Sequence, residues 1–416
     1  MIIDDFQSSR EAERISVSAR VRWEESERRP MRVFFATPPL FSDTLTLDPH
    51  AFLLAGFVPA MRHGERRLRI EAALCPHLRI GVATAMEWLC AWYPPHDRRL
   101  SLEFNGENRM PRPEPVRRTA SFLSGGIDSL ATLRDNRLHY PTDHPLSIQA
   151  CVTVHGFDIG SAADTDPRFD YFNLTVESLA GVCMAARCRL IPVYTNVRHL
   201  DPDDDLWMLE FHGAALAAVA HALSFKLSDA MIAASDEIID PVPWGSHPSL
   251  DHLYSSTDLR IHHDGVRFTR YQKLKLIAAW EPAVTALRVC TKSPQQHLNC
   301  GRCNKCLLAL IQLLVVGRLK NNRTFPVTDI SAEMLEGLDI KRDYTCLLWE
   351  ELIAPLEVMG RSDLSRVVRR KTARYRNFAW MYRFELKERV KRLDRRLLRG
   401  RLQRLRRTMR NSGLLA

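Results

Sequence analysis

Nowhere do the 416 residues contain a run of eighteen apolar side chains, so no segment is expected to cross a bilayer as a helix. The opening MIIDDFQSSREAERIS is acidic and has no apolar stretch of the secretory kind, which points to the cytoplasm. In a reducing compartment, the ten cysteines are expected as thiols or metal ligands rather than disulfides. The pattern GxxxxGK[ST] is also missing, so no lysine is built into a glycine loop beside a β/γ-phosphate.

What is present is a soluble composition, 45% hydrophobic and 26% charged, in a chain long enough for two or three domains. The net charge of +10 is unevenly held. Residues 361–416 carry 20 of the 59 basic and 4 of the 49 acidic side chains, leaving 39 against 45 elsewhere. The body is mildly acidic, and the basicity belongs to the tail.

The chain is organised around Ala120–Ser129, where an apolar run enters Ser124-Gly125-Gly126-Ile127-Asp128-Ser129 and a helical pattern leaves it. Paired glycines let the backbone approach an anion with no Cβ in the way. The first amides of the helix point outward, and its dipole adds partial positive charge. Ser124 and Ser129 can bond phosphate oxygens, and Asp128 offers the oxygen ligand that Mg2+ prefers. A loop that grips by amides and hydroxyls suits pyrophosphate as the leaving group. SGGIDS resembles the SGGxDS motif of the PP-loop (N-type) ATP pyrophosphatases, which implies adenylation of a substrate oxygen followed by displacement of AMP.

Upstream, residues 1–110 read as a β-rich N-terminal domain with no evident chemistry. Ile15, Val17, Ala19, Val21 and Trp23 alternate with polar neighbours, MRVFFA and RRLRIEAAL read as strands, and Ile80–Tyr93 as a buried helix. His63 and His77 are isolated there. Three prolines at 111, 113 and 115 make 111–118 a stiff linker. From 119 to 345 strand and helix alternate, with apolar runs at 148–154, 189–194 and 229–234 and helices at 174–187 and 209–223. This predicts an α/β fold with a parallel sheet covered on both faces. Its site lies beyond the carboxyl ends of the strands, at SGGIDS, His155–Asp158, Thr195–Asn196 or Ser235–Asp236. Residues 237–289 form a less regular insertion, in which Trp, His, Ser and Asp can line a pocket or simply make turns. The adjacent His262 and His263 would face opposite ways on a strand and bind one metal poorly.

Cys290, Cys300, Cys303 and Cys306 stand as C-x9-C-G-x-C-x2-C. Four thiolates can enclose a tetrahedral Zn2+, Gly301 permits the tight turn, and with no open position such a site is structural. An iron–sulfur cluster would use the same ligands. The cysteines at 75, 90, 151, 183, 188 and 346 sit in apolar runs or singly and are expected in the core.

Together the two motifs resemble one PP-loop branch, 7-cyano-7-deazaguanine synthase (QueC) and its relatives, over roughly residues 119–312. CGRCNKC at 300–306 matches the branch's knuckle, and His212-Gly213 opening an alanine-rich helix is similar to a further feature. The resemblance implies ATP, Mg2+ and Zn2+ as cofactors. Ser124, Gly125, Gly126, Asp128 and Ser129 would hold triphosphate and Mg2+, Asp128 and Ser124 would act in the chemistry, and the four cysteines would hold zinc. The implied reaction adenylates the carboxylate of a 7-deazaguanine-type substrate. Ammonia then displaces AMP to give an amide, and a second activation dehydrates it to a nitrile. The chain departs from that branch in its N-terminal region and basic tail, and in Ser246-His247-Pro248-Ser249-Leu250-Asp251, where the branch has a Pro-Asp-Cys-Arg-like substrate segment. Some relatives modify DNA or protein. Two rivals stand beside this expectation. One is a sulfur-transferring PP-loop enzyme acting on tRNA, with Cys151 or Cys188 as the catalytic thiol; the other is a non-catalytic nucleotide-binding module.

The region 346–416 reads as a helical basic tail. Leu393, Leu397, Leu398, Leu402 and Leu405 recur at helical spacing among arginines, and Tyr375, Phe378, Trp380, Tyr382 and Phe384 can stack on bases. Such a tail suits nucleic acid, an anionic membrane face, or an acidic protein surface, its own body included. The sequence leaves the oligomeric state open.

Overall fold

The structure, a computed structural model, describes residues 1–94, 97–106, 108–112, 118–160, 169–235, 242–290 and 297–383. The chain divides into two compact units, Met1–Cys306 with Val316–Thr328, and Leu307–Val315 with the residues from Asp329 on.

The first unit is α/β, and among its described residues ten strands form a single sheet. They are β1 (Ile2–Arg10), β2 (Ile15–Arg22), β3 (Met31–Thr37), β4 (Arg67–Ile70), β5 (Ser101–Phe104), β6 (Thr119–Phe122), β7 (Ile148–His155), β8 (Arg189–Thr195), β9 (Asp229–Ala233) and β10 (Arg260–Asp264). Their order is β10-β9-β6-β7-β8-β3-β2-β1-β4-β5. Pairing is parallel from β10 to β8 and again along β1-β4-β5, and antiparallel only at β8-β3, β3-β2 and β2-β1. The strands of 1–110, expected as a separate β-rich region, thus extend the sheet of 119–264 rather than close one of their own. The junction is short: Phe35 pairs with Thr195 and Ala36 with Tyr194. Of the expected linker, 113–117 lies outside the described residues.

Helices cover the sheet. The sequence pattern places one near 80–93, and the structure has it as α2 (Pro76–Trp92). It also has α1 (Pro49–Arg62), in a stretch apolar all round and therefore without a period to read. Asp48 caps α1 by accepting from the His50 amide at 3.0 Å, and Pro49 suits its first turn. α1 packs on the alanine-rich helix His212–Ala222 and crosses close to β1, since a Cβ on Gly56 would stand 2.8 Å from Ile3 Cδ1. Helices α3 (Ile127–His139) and α4 (Phe169–Ala185) follow β6 and β7. Because β7 lies on one side of β6 and β9 on the other, the strand order reverses at the carboxyl end of β6, where open sheets of this kind bind ligands.

The described part of the second unit is helical, with Ala332–Glu336, Asp343–Glu350, Ile353–Val358 and Ser362–Arg383 around buried Trp349, Leu352, Leu356, Leu364 and Val368. Arg369 pairs with Glu357 at 2.6 Å, Arg376 with Glu350 at 2.7 Å, and Arg370 with Glu336. Part of the expected basic face is therefore partnered within its own unit. The leucine repeat at 393–405 lies outside the described residues. No described helix is long and apolar enough to cross a membrane.

Candidate functional site

The SGGIDS stretch forms a strand–turn–helix corner, as its pattern predicts. β6 ends at Phe122, Gly125 takes φ +79°, Gly126 is the extended N-cap residue, and α3 starts at Ile127. A Cβ on Gly125 would meet Arg288 Cβ at 3.2 Å and the Ala286 carbonyl at 3.3 Å, so glycine is required twice over. The two serines brace the turn. Ser129 Oγ accepts from the Ser124 amide at 3.2 Å and donates to the Gly126 carbonyl at 3.1 Å, while Ser124 Oγ accepts from the Gly126 amide at 3.2 Å. Ser124 is exposed and Ser129 buried, so Ser124 presents its hydroxyl outward and Ser129 shapes the loop.

Asp128 sits in the first turn of α3 and meets two cations from the helix Arg270–Ala278. Arg270 Nη1 donates to its Oδ2 at 3.0 Å, and Lys273 Nζ lies 3.6 Å from its Oδ1. Lys273 is 2% exposed, and its ammonium is anchored on the Ala234 carbonyl at 2.6 Å, at the end of β9. The loop carries no lysine of its own, as its sequence indicates, but the fold supplies one from over 140 residues away. Arg270 and Lys273 are one helical turn apart, behind a capping box of Thr269 and Gln272. That i, i+3 basic pair is the signal the sequence offers for them. Asp128 Oδ1 is buried and accepts no hydrogen bond among the described residues, and the Lys273 ammonium is its ion-pair partner.

The other carboxyl-end positions divide. Thr195 and Asn196 are spent on the sheet junction: Thr195 Oγ1 donates to the Phe34 carbonyl, and the Asn196 amide bonds Phe34 and Arg32. His155 is packed among Phe169, Phe172 and Tyr194, and Asp158 accepts from Trp207 Nε1 at 3.4 Å. Ser235 lies two residues past the end of β9, and Asp236 lies outside the described residues. In the insertion, the fully buried Asp251 takes Ser246 Oγ at 2.6 Å and His263 Nδ1 at 2.8 Å. His262 turns the other way, to Asp229 at 2.7 Å. The two histidines therefore face opposite sides of β10.

Cys290, Cys300, Cys303 and Cys306 converge, with all four sulfurs within 4.8 Å of one another. Cys290 and Cys303 are 3.9 Å apart and Cys300 and Cys306 3.7 Å, against the roughly 3.8 Å that a tetrahedron with ~2.3 Å Zn–S bonds requires. The Cys303 amide points at Cys300 Sγ at 3.4 Å, and Gly301 takes φ +73°. Contact with the Cys290 sulfur pushes the Cys303 and Cys306 thiols up, and a divalent ion relieves that repulsion. The donor set fits zinc.

Arg288 joins the two motifs. Its amide donates to the Gly125 carbonyl at 2.8 Å, its Nε to the Ser124 carbonyl at 2.9 Å, and its Nη1 to the Cys290 carbonyl at 3.4 Å. Asn299 holds the same segment, accepting from the Val289 and Cys290 amides at 2.8 and 3.2 Å. The glycine corner and the thiolate cluster thus share one backbone segment. Comparison with known proteins adds nothing to this: no family model, no curated protein and no solved structure matches the chain.

Proposed function

We propose that the chain is an ATP pyrophosphatase of the PP-loop kind, similar to 7-cyano-7-deazaguanine synthase, that adenylates a carboxylate or amide for attack by ammonia or another nitrogen nucleophile. The observation that carries it is the SGGIDS corner at the strand-order reversal, with Arg270 and Lys273 converging on Asp128. A carboxylate oxygen leaves poorly, whereas AMP leaves well, so activation precedes the carbon–nitrogen bond. Ser124, Gly125, Gly126 and Ser129 would cradle the triphosphate. Arg270 and Lys273 would offset charge on the departing pyrophosphate, turning from Asp128 as phosphate enters. Asp128 would hold Mg2+, which supplies Lewis-acid stabilisation of the same oxygens. The tetrathiolate cluster would hold zinc as a structural ion. A 7-deazaguanine-type carboxylate is the first substrate to test on the resemblance of the two motifs, and the departure at 246–251 makes other carboxylates the next.

The sulfur-transfer rival needs a thiol near the loop. Cys188 precedes by two positions Leu190, which pairs with Cys151 in register with Ser121. Ser124 lies three positions further on, so the two levels of the sheet are separated by about 16 Å. That separation disfavours Cys188 as the sulfur carrier.

Purified protein is to be given ATP, Mg2+, ammonia and 7-carboxy-7-deazaguanine, following AMP and product mass. AMP with an amide or nitrile product, lost in Asp128→Ala and in Lys273→Met, is expected. ADP alone would sink the proposal. ATP binding without turnover would redirect the search to other carboxylates, and to protein or nucleic acid partners of the basic region 361–416.

A further inference from the structure

Three cysteines outside the tetrathiolate set also meet, and no metal-binding spacing announces them. Cys151 lies on β7, Cys183 near the end of α4 and Cys188 just before β8, with their sulfurs all within 4.8 Å of one another. Cys151 Sγ and Cys188 Sγ are 3.6 Å apart. The end of α4 brings them in. The Cys188 amide bonds the Cys183 carbonyl at 2.9 Å and the Arg187 amide that of Met184 at 3.1 Å, a Schellman closure. Arg187 takes φ +52° where glycine is usual. Cys151 and Cys183 are buried and Cys188 is half-buried, so solvent reaches the cluster through Cys188.

A fixed cation stands beside them. The Arg137 guanidinium, from α3, bonds the carbonyl of Ala186 at 2.5 Å, that of Ile148, and Ser147 Oγ. One guanidinium balances one thiolate. Contacts from the Cys151 and Cys183 thiols, with Arg137 beside them, hold Cys188 down to about 4, while contacts with Cys183 and Cys188 and burial push Cys151 well up. Of the three sulfurs, Cys188 is the readiest to ionise.

We propose that Cys188 is a peroxide-reactive cysteine and that Cys151 is its resolving partner. The Cys188 thiolate attacks one peroxide oxygen and the O–O bond breaks, giving a sulfenic acid and hydroxide, which is protonated to water. The charge on Arg137 is then unbalanced, which favours ionisation of Cys151. The Cys151 sulfur attacks the sulfenic sulfur and hydroxide leaves, taking up the thiol proton as water. Peroxide gains two electrons, and the two thiols become one disulfide. Closing from 3.6 Å to the ~2.05 Å of a disulfide asks for about 1.5 Å of approach between a sulfur on β7 and one just ahead of its paired strand β8. The site is independent of the nucleotide reading and lies toward the opposite end of the sheet from the glycine corner.

The test uses the purified full chain, treated with hydrogen peroxide, alkylated and mapped by mass spectrometry. A Cys151–Cys188 disulfide is expected, replaced in Cys151→Ser by a Cys188 sulfenic acid that a dimedone probe traps. At pH 6, iodoacetamide should modify Cys188 at least about tenfold faster than an ordinary free thiol, and Arg137→Lys should retain much of that rate. Alkylation of Cys188 no faster than an ordinary thiol would overturn the proposal, as would peroxide oxidation that leaves Cys151 and Cys188 unjoined. A second metal ion that disappears in Cys188→Ser would overturn it too, since the three sulfurs would then be ligands.

Discussion

The two sulfur clusters of the first unit are alike in packing and opposite in electrical setting. In the Cys290–Cys306 set four sulfurs lie at tetrahedral separations, and contact with the Cys290 sulfur raises the proton affinity of Cys303 and Cys306, which a divalent cation reverses. In the Cys151–Cys183–Cys188 set the positive charge is already covalent, on Arg137, and contact with the Cys151 thiol together with that charge favours ionisation at Cys188. The contrast teaches that sulfur count and fixed charge, rather than proximity alone, separate a metal site from a thiol site.

The comparison breaks most readily at the tetrathiolate end. Cys303→Ser should abolish one equivalent of tightly bound metal, read by elemental analysis, and cost about 4 kcal/mol or more of stability in denaturant unfolding. Cys188→Ser should leave the metal content unchanged. If both variants lose metal, or neither does, the distinction falls. Next in size is Arg288→Ala. Metal should remain while ATP affinity drops about tenfold or more in calorimetry, because two glycine-corner carbonyls lose their donor or its geometry. Retained affinity would show that the corner holds its shape unaided.

A further effect is on pH dependence. Cys188 has its native value lowered to about 4 from the ordinary thiol value of 9.0. Its contribution to stability is therefore fully present above about pH 9 and fades as pH falls toward 4. Cys151, shifted upward, works in the other direction above that range. Cys188→Ser should flatten the rise in unfolding free energy between pH 4 and 9, measured by urea titration at several pH values. An unchanged slope would remove the description of Cys188 as the readiest to ionise.

Features written in consecutive residues were legible in the sequence. The SGGIDS corner and the C-G-x-C-x2-C knuckle each contain their own turn glycine and most of the side chains that gather there, so spacing placed them. Long apolar strands gave the α/β class for the same reason. Arrangements made by distant segments were not legible. Arg270 and Lys273 reach Asp128 from a helix with no motif, and Cys151, Cys183 and Cys188 meet across a strand, a helix end and a turn. β10 was hidden because Arg260-Ile261-His262-His263-Asp264 is mostly polar, with Arg260 and His262 held by Asp229 and His263 by Asp251, while Ile261 enters the apolar core. Continuity of the sheet was hidden as well, since β3 and β8 join through only two paired positions.

That narrow junction has its own consequence. Pro192 on β8 lacks an amide, and on the β3 side its carbonyl is taken by the Thr37 hydroxyl at 2.9 Å. One step beyond the last paired residue, the Asn196 carboxamide accepts from the Phe34 amide at 3.0 Å and donates to the Arg32 carbonyl at 2.8 Å. Where the main chain turns away, a side chain impersonates a peptide group and carries the ladder one rung further. The junction between the two parts of the sheet is bridged by borrowed chemistry, and Asn196 is a splint there.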